Sequence, residues 1–586
     1  MQAIFIVAFA FVGYLVAYHT YGRFLARKIF RLSDTAPVPS RELEDGVDYV
    51  PTRRGVIFGH HYTSIAGTGP IVGPAIGIIW GWVPAIIWVF VGSIVMGAVH
   101  DFGSLVVSLR NEGKSMSEIA GRYINKRART LFFLVVFLEL LIVIAIFGVV
   151  IASVFAMFPE SVFPVWCEVP IAVMLGLGIA GTAGRSKVVL GTIMAVGLMY
   201  ATVVAGHFMP LEMPALTLGG VTLPPTAVWV AILLFYAFVA SSIPVTTLLQ
   251  PRDYINAWQL FIAMALLLAG VVGATFAAPG GLRVVAPAYN PGPAEAPPMW
   301  PFLMVVIACG AISGFHSLVG SGTTPKQIRS ERDTLFVGYG SMLMEAALAT
   351  LVIVAVSAGI GMAYETAAGQ TLTGTAAWQQ HYESWTAAKG LGSKINAVVV
   401  GSANMIGTLG IEKGLAIVII GVFIASFAGT TLDTATRLQR YVVGEVATEW
   451  RLGWLANRWV ATALAVVTAG LLAFAARPPG KGLGTGALVL WPMFGAINQL
   501  LAALALLLAT LYLRRKHAWG WLLTLLPCGF MLVMTLWAAI HNEVDFIEKR
   551  QWTLIVLNGL TLGLAVLVAI EAFGVLFRGR PAPENE

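Results

Sequence analysis

Apolar residues in this chain fall in blocks of roughly 20, the length at which a helix rising 1.5 Å per residue crosses about 30 Å of hydrocarbon. Inside lipid every backbone N–H and C=O must be satisfied within the structure, so only helices and closed barrels can span. Barrel strands are short and alternate in polarity, and these blocks do not. Spans are read near 3–22, 56–79, 82–108, 130–157, 168–183, 187–208, 226–247, 257–278, 300–322, 335–363, 414–432, 459–476, 485–512, 519–541 and 552–576. The expected fold class is all-α: a polytopic membrane helix bundle of about fifteen spans, within a range of fifteen to eighteen.

Composition agrees. Of 586 residues, 58% are hydrophobic and only 11% charged, against roughly 25% charged in a soluble domain. The net charge of +7 does not point to nucleic acid, because the basic residues lie in short loops between apolar blocks, as the positive-inside rule expects. Arg23, Arg27, Lys28 and Arg31 follow the first apolar run instead of preceding it, which reads as an uncleaved first span. The Lys/Arg bias puts the N-terminus outside and the C-terminus inside, in a bacterial inner membrane. Counting 394–411 as a crossing would place Arg437, Arg440, Arg451 and Arg458 outside, so that segment is read as re-entrant or interfacial. Cys167, Cys309 and Cys528 are scattered, without a CxxC pair, and indicate neither disulfides nor zinc.

Three spans are not built like lipid anchors. The second runs GHHYTSIAGTGPIVGP over 59–74, with two prolines and several glycines. Pro removes a backbone donor and Gly costs backbone entropy, so a broken helix is expected near 64–70. A break inside a bilayer is tolerated where it faces protein or water, and its freed groups can bind substrate or ions. Close packing through small residues is the alternative. The seventh span holds ASSIPVTT over 240–247, where Pro244 is a candidate second break or a simple kink. Ser64, Gly67, Thr68, Gly69, Ser241, Ser242 and Thr246 are therefore the candidate substrate-binding residues. The ninth span ends SGFHSLVGSGTTPK over 313–326, and Ser313, Ser317, Ser321 and Thr323 suit a hard cation, a polar substrate or plain interhelical hydrogen bonds.

Ionisable groups inside spans are functional suspects. His100 and Asp101 are neighbours in the third span and are the candidate proton carriers, or else a buried structural pair. Glu139 and Glu345 lie in the fourth and tenth spans, and Asp433 and Arg437 are spaced to pair within one helix. His60, His61 and His316 border the candidate breaks and are the candidate metal or haem ligands, although no HExxH, HxH or CxxCH is present. No cofactor is expected beyond H⁺ or Na⁺ as coupling ion. No Walker motif appears, so ATP hydrolysis and, more broadly, enzymatic activity are not expected.

Five stretches carry a family resemblance: GHHYTSIAGTGPIVGPAIG at 59–77, QPRDYIN at 250–256, SGFHSLVGSGTTPKQI at 313–328, TLDTATRLQRYV at 431–442 and WPMFGAINQLLA at 491–502. The chain resembles the carbon starvation protein A (CstA) family of bacterial peptide and pyruvate transporters. The resemblance implies a secondary active transporter importing short peptides, or a small carboxylate such as pyruvate, coupled to H⁺ or Na⁺. It also implies a LeuT-like core of two inverted five-helix repeats. The second, seventh and ninth spans would then be core helices one, six and eight, and the carbonyls of Ala66 and Gly67 would face the hydroxyls of the ninth span across a sodium site. On this reading 1–586 is one transporter domain: a first span with its loop (1–55), a transport core (56–450) and C-terminal accessory helices (451–586). A membrane metallo- or haem-binding redox protein built on the intramembrane histidines is the rival reading.

Overall fold

The computed structural model describes residues 1–179, 185–277, 280–366, 368–475 and 482–577. Fourteen helices in them are long and apolar enough to cross a membrane. In chain order these are α1 Ala3–Ile29, α2 Arg54–Trp80, α3 Trp82–Leu109, α4 Lys126–Met157, α5 Pro159–Gly178, α6 Ser186–His207, α7 Pro225–Ser242, α8 Leu249–Ala277, α10 Leu335–Met362, α12 Lys413–Glu449, α13 Arg458–Ala475, α14 Gly486–Lys516, α15 Leu522–Glu548 and α16 Trp552–Phe577. Two more elements complete the bundle. The ninth span, α9, is two half-helices, Met299–Val306 and Gly314–Ser321. Residues 394–411 fall largely in α11, Leu391–Gly407, a helix packed among α2, α8, α10 and α12. Two short antiparallel ribbons, Leu216–Leu218 with Val221–Leu223 and Tyr364–Glu365 with Thr371–Leu372, lie between helices.

Burial sorts the helices. The most apolar stretch of α14 is wholly enclosed by protein and that of α2 is 94% buried, whereas that of α6 is 22% buried. The Gly- and Pro-rich α2 goes inside, but composition alone does not sort the rest: the Leu/Ala-rich α14 is enclosed, while α6, which carries Gly and Thr, faces outward.

The inner helices repeat. Two runs of five, α2, α3, α4, α7, α8 and α9, α10, α12, α13, α14, each begin with a broken helix. Their packing maps one run on the other: α2 packs on α8 and α10, as α9 packs on α14 and α3. The α4–α7 pair is matched by α12–α13, and α8–α12 by α14–α4. The long helices α4 and α12 cross each other, which makes that pair its own image. The partner of α2 is therefore the ninth span, not the seventh, and the seventh does not break. Pro244 instead ends α7, where Ile243 turns to an extended backbone. The carbonyls released there are taken by Arg437, whose Nη2 donates to Ala240 O at 3.2 Å and Ile243 O at 2.5 Å.

Candidate functional site

The two breaks meet at the centre of the bundle. In α2 the first half ends at Gly67, whose φ of +41° is open to glycine but strained for other residues. A Cβ on Gly67 would lie 2.5 Å from Thr431 Oγ1 on α12 and 3.5 Å from the Phe147 ring on α4. Ser64 Oγ reaches Thr434 Oγ1 at 3.1 Å. The break in α9 lies against that in α2: a Cβ on Gly69 would overlap Cys309, and one on Gly73 would lie 2.6 Å from Val306 O. Residues 307–313 carry no proline, and Gly310, at φ +73°, makes the turn. Side chains from neighbouring helices hold the freed backbone. Glu345 Oε1 accepts the Gly310 N–H at 3.1 Å, and Asn498 Oδ1 accepts the Phe315 N–H at 2.8 Å.

Beside the second break runs a chain of buried ionisable groups. His100 Nδ1 lies 2.8 Å from Asp101 Oδ1, and His316 Nδ1 lies 2.9 Å from Asp101 Oδ2. The other face of the imidazole, His316 Nε2, is 3.3 Å from Glu345 Oε2, an ion-pair distance without the alignment of a hydrogen bond. All four side chains are shut off from solvent, and they tie α3, α9 and α10 together. An ionised carboxylate is costly here unless paired. Asp101 between two imidazoles has such pairing.

Among the described residues the hydroxyls of α9 make no hydrogen bond to the carbonyls of 66–67. Ser313 Oγ bonds Asn498 at 3.0–3.2 Å, Ser317 Oγ donates to Gly314 O at 2.6 Å, and Ser321 Oγ accepts the Met116 N–H at 3.3 Å. Thr323 Oγ1 is buried without a hydrogen-bond partner among the described residues. The oxygens facing the first break come instead from Thr431 and Thr434. Of the seventh-span candidates, Ser241 Oγ donates to Asp433 O at 2.9 Å, Ser242 Oγ to Phe238 O at 2.7 Å, and Thr246 lies half-buried beyond the helix. Ala66 and Thr68 are buried at the break itself.

Asp433 does not pair with Arg437, four residues along its own helix. Its Oδ2 takes an ion pair from Arg252 on α8 and a 2.9 Å hydrogen bond from the Tyr236 hydroxyl on α7. Arg437 instead reaches Asp48 Oδ1 at 2.8 Å. Both carboxylate oxygens of Glu139 are buried without partners among the described residues. Arg252, Asp253 and Asn498 are functional-site neighbours that pattern reading passed over, although each lies in a motif that carried the resemblance; their partners are far along the chain.

The histidines are engaged: His60 Nδ1 with Asp253 Oδ2 at 2.5 Å, His61 Nδ1 with Thr324 Oγ1 at 2.8 Å. Ligand atoms of Cys309, His316 and Glu345 lie within 4.8 Å of one another, a mixed S, N, O set that could hold a transition metal. It includes only one of the three candidate histidines, and two of its atoms, His316 Nε2 and Glu345 Oε2, already face each other in the buried line.

A profile of the carbon starvation protein CstA family matches residues 2–538. The chain belongs to that family. A relative from Campylobacter jejuni, "Peptide transporter CstA", is 32% identical over 94% of this chain and 82% of its own length. An Escherichia coli relative, "Pyruvate/proton symporter BtsT", is 30% identical over 99% of this chain and 91% of its own length. Among solved structures, MhsT in complex with L-phenylalanine covers 83% of this chain at 13% identity, with a TM-score of 0.46. Membership in the CstA family makes this multi-pass membrane protein a secondary transporter and sets the redox reading aside.

Proposed function

We propose that this CstA-family chain imports a small carboxylate-bearing nutrient, a short peptide or pyruvate, driven by an inward proton gradient across a bacterial inner membrane. The observation that carries the proton reading is the buried line His100–Asp101–His316–Glu345. It touches the break in α9 through the Gly310 N–H, so a proton arriving on Glu345 would weaken that bond and loosen the turn on which the break depends. Movement of the proton and rearrangement of the site would thus share one hydrogen bond. Substrate would lie at the facing breaks, against Ser64, Gly67, Thr68 and Gly69, with Phe147 and Thr431 as further walls. The transport core would be the ten helices of the two repeats, residues 54–516, with α1, α5, α6, α11, α15 and α16 around them. The names of the relatives support both the substrate classes and the coupling. Uptake of labelled dialanine and of pyruvate into proteoliposomes, under imposed H⁺ or Na⁺ gradients, tests the proposal.

A further inference from the structure

Lys394 is a lysine in the wrong place for a surface residue. It lies in the first turns of α11, is 5% exposed, and among the described residues has no carboxylate partner. Its Nζ stands 4.7 Å over the Trp491 ring, a cation–π contact with the start of α14. That interaction is worth only about 0.5–2 kcal/mol and offsets little of the cost of burying an ammonium. Buried cations in membrane proteins otherwise pair or serve.

The surroundings show where it leads. Trp491 lies 6.2 Å from Phe494, and Phe494 lies 6.5 Å edge-on from Phe147, between ring centroids. Phe147 in turn lines the Gly67 break. An aromatic column thus runs from the unpaired ammonium to the centre of the bundle. The helix that carries Lys394 is held firmly: Asn404 Nδ2 donates to Gly359 O at 3.0 Å and Ala363 O at 2.7 Å, and a Cβ on Gly401 would collide with the Ala355 carbonyl on α10. The backbone that carries Lys394 is therefore fixed, and its side chain packs against the Trp491 ring.

We propose that Lys394 is the anion-recognition residue of the substrate pathway, an ammonium that receives the carboxylate of the transported molecule at the end of the column remote from Gly67. The ligand class is a small monocarboxylate or a peptide C-terminus; the two share the group that is recognised. The inference rests on the transport reading above and deepens it.

The test uses the full chain in proteoliposomes with an imposed inward proton gradient, and three probes: pyruvate, dialanine and dialanine amide. Loss of a charge-assisted hydrogen bond corresponds to about tenfold or more in affinity. In Lys394→Met the KM for the acid that the wild type carries, dialanine or pyruvate, is expected to rise by at least about that factor with little change in Vmax. Lys394→Arg, which keeps the charge, is expected to stay near wild type. If dialanine is the acid carried, its amide is expected to be as poor for the wild type as the acid is for Lys394→Met, with no further loss in that variant. A wild-type KM for the acid in Lys394→Met, or an amide that the wild type handles as well as the acid, overturns the inference and leaves the transport reading standing. A wild type that accumulates none of the three probes overturns the transport reading itself.

Discussion

At the residue scale the proposed proton coupling turns on Asp101. Its two oxygens are each held by an imidazole, so neutralising it removes both the charge and the link between His100 and His316. Asp101→Asn is expected to abolish gradient-driven uptake and to leave substrate exchange, which needs no net proton movement, far less affected; counterflow measured beside uptake checks this. Loss of both together would make the residue structural. The sequence made one contact of this line legible, because His100 and Asp101 are adjacent in an apolar span. It did not reveal His316, 215 positions away, as their partner, because spacing within a helix says nothing about which other helix will face it. The same limit explains Asp433: a helical spacing suited to Arg437 was overridden by Arg252 arriving from α8.

Among the elements, the break in α2 was readable and that in α9 was not. Pro70 and the glycines around it announce a helix that cannot run on, while Pro74 is accommodated inside the second half-helix. In α9 the turn depends on Gly310 and on two side chains from other helices, Glu345 and Asn498, which supply what proline supplied in α2. Pro244 misled in the opposite direction, since a proline two residues past a helix end looks like one inside it. SIAGTG at 64–69 and SLVGSG at 317–322 look alike in sequence, yet the first contains a break and the second closes a half-helix. Gly67→Leu, which would set a bulky group against Thr431, is expected to abolish uptake with normal membrane insertion, read by detergent-solubilised gel filtration beside transport; unchanged transport would make the break mere packing. A second element is the strap at 45–52, laced to 326–327 by the Val50 and Thr52 N–H groups. Burial would push the Asp48 carboxyl up, but Arg440, Arg437 and Lys326, with the Tyr441 hydroxyl, hold it down at about 2. A carboxyl lowered from 3.8 to about 2 contributes roughly 2–3 kcal/mol that is fully present above about pH 5 and is lost progressively as pH falls through 2. The strap is therefore expected to stay docked across the working range. In Asp48→Asn, amide exchange at Val50 and Thr52 is expected to quicken by about tenfold or more, and unaltered exchange would detach the strap from its ion pairs.

For the whole molecule, the number and type of spans were legible because lipid allows so few solutions, and the polar breaks marked which helices face inward. The pairing of α2 with α9 was not, because the two runs of five are interrupted by α5, α6 and α11, which obscure the period along the chain. Orientation is open to direct test. The Lys/Arg bias expects a reporter fused after Arg110 or Arg329 to be cytoplasmic and one after Pro291 to be external; external activity at Arg329 would invert the scheme. In the transport proposed above, a buried line of ionisable side chains couples protons to a carboxylate-bearing nutrient. The measurement that meets it most directly is accumulation of labelled dialanine and of pyruvate by proteoliposomes holding the full chain, under a pH gradient without Na⁺ and under a Na⁺ gradient at equal pH. Concentrative uptake of at least one of them is expected under the pH gradient alone, collapsing when a protonophore is added. Accumulation that follows Na⁺ and ignores the pH gradient would contradict it, and would move attention from Asp101 to the oxygens of Thr431 and Thr434.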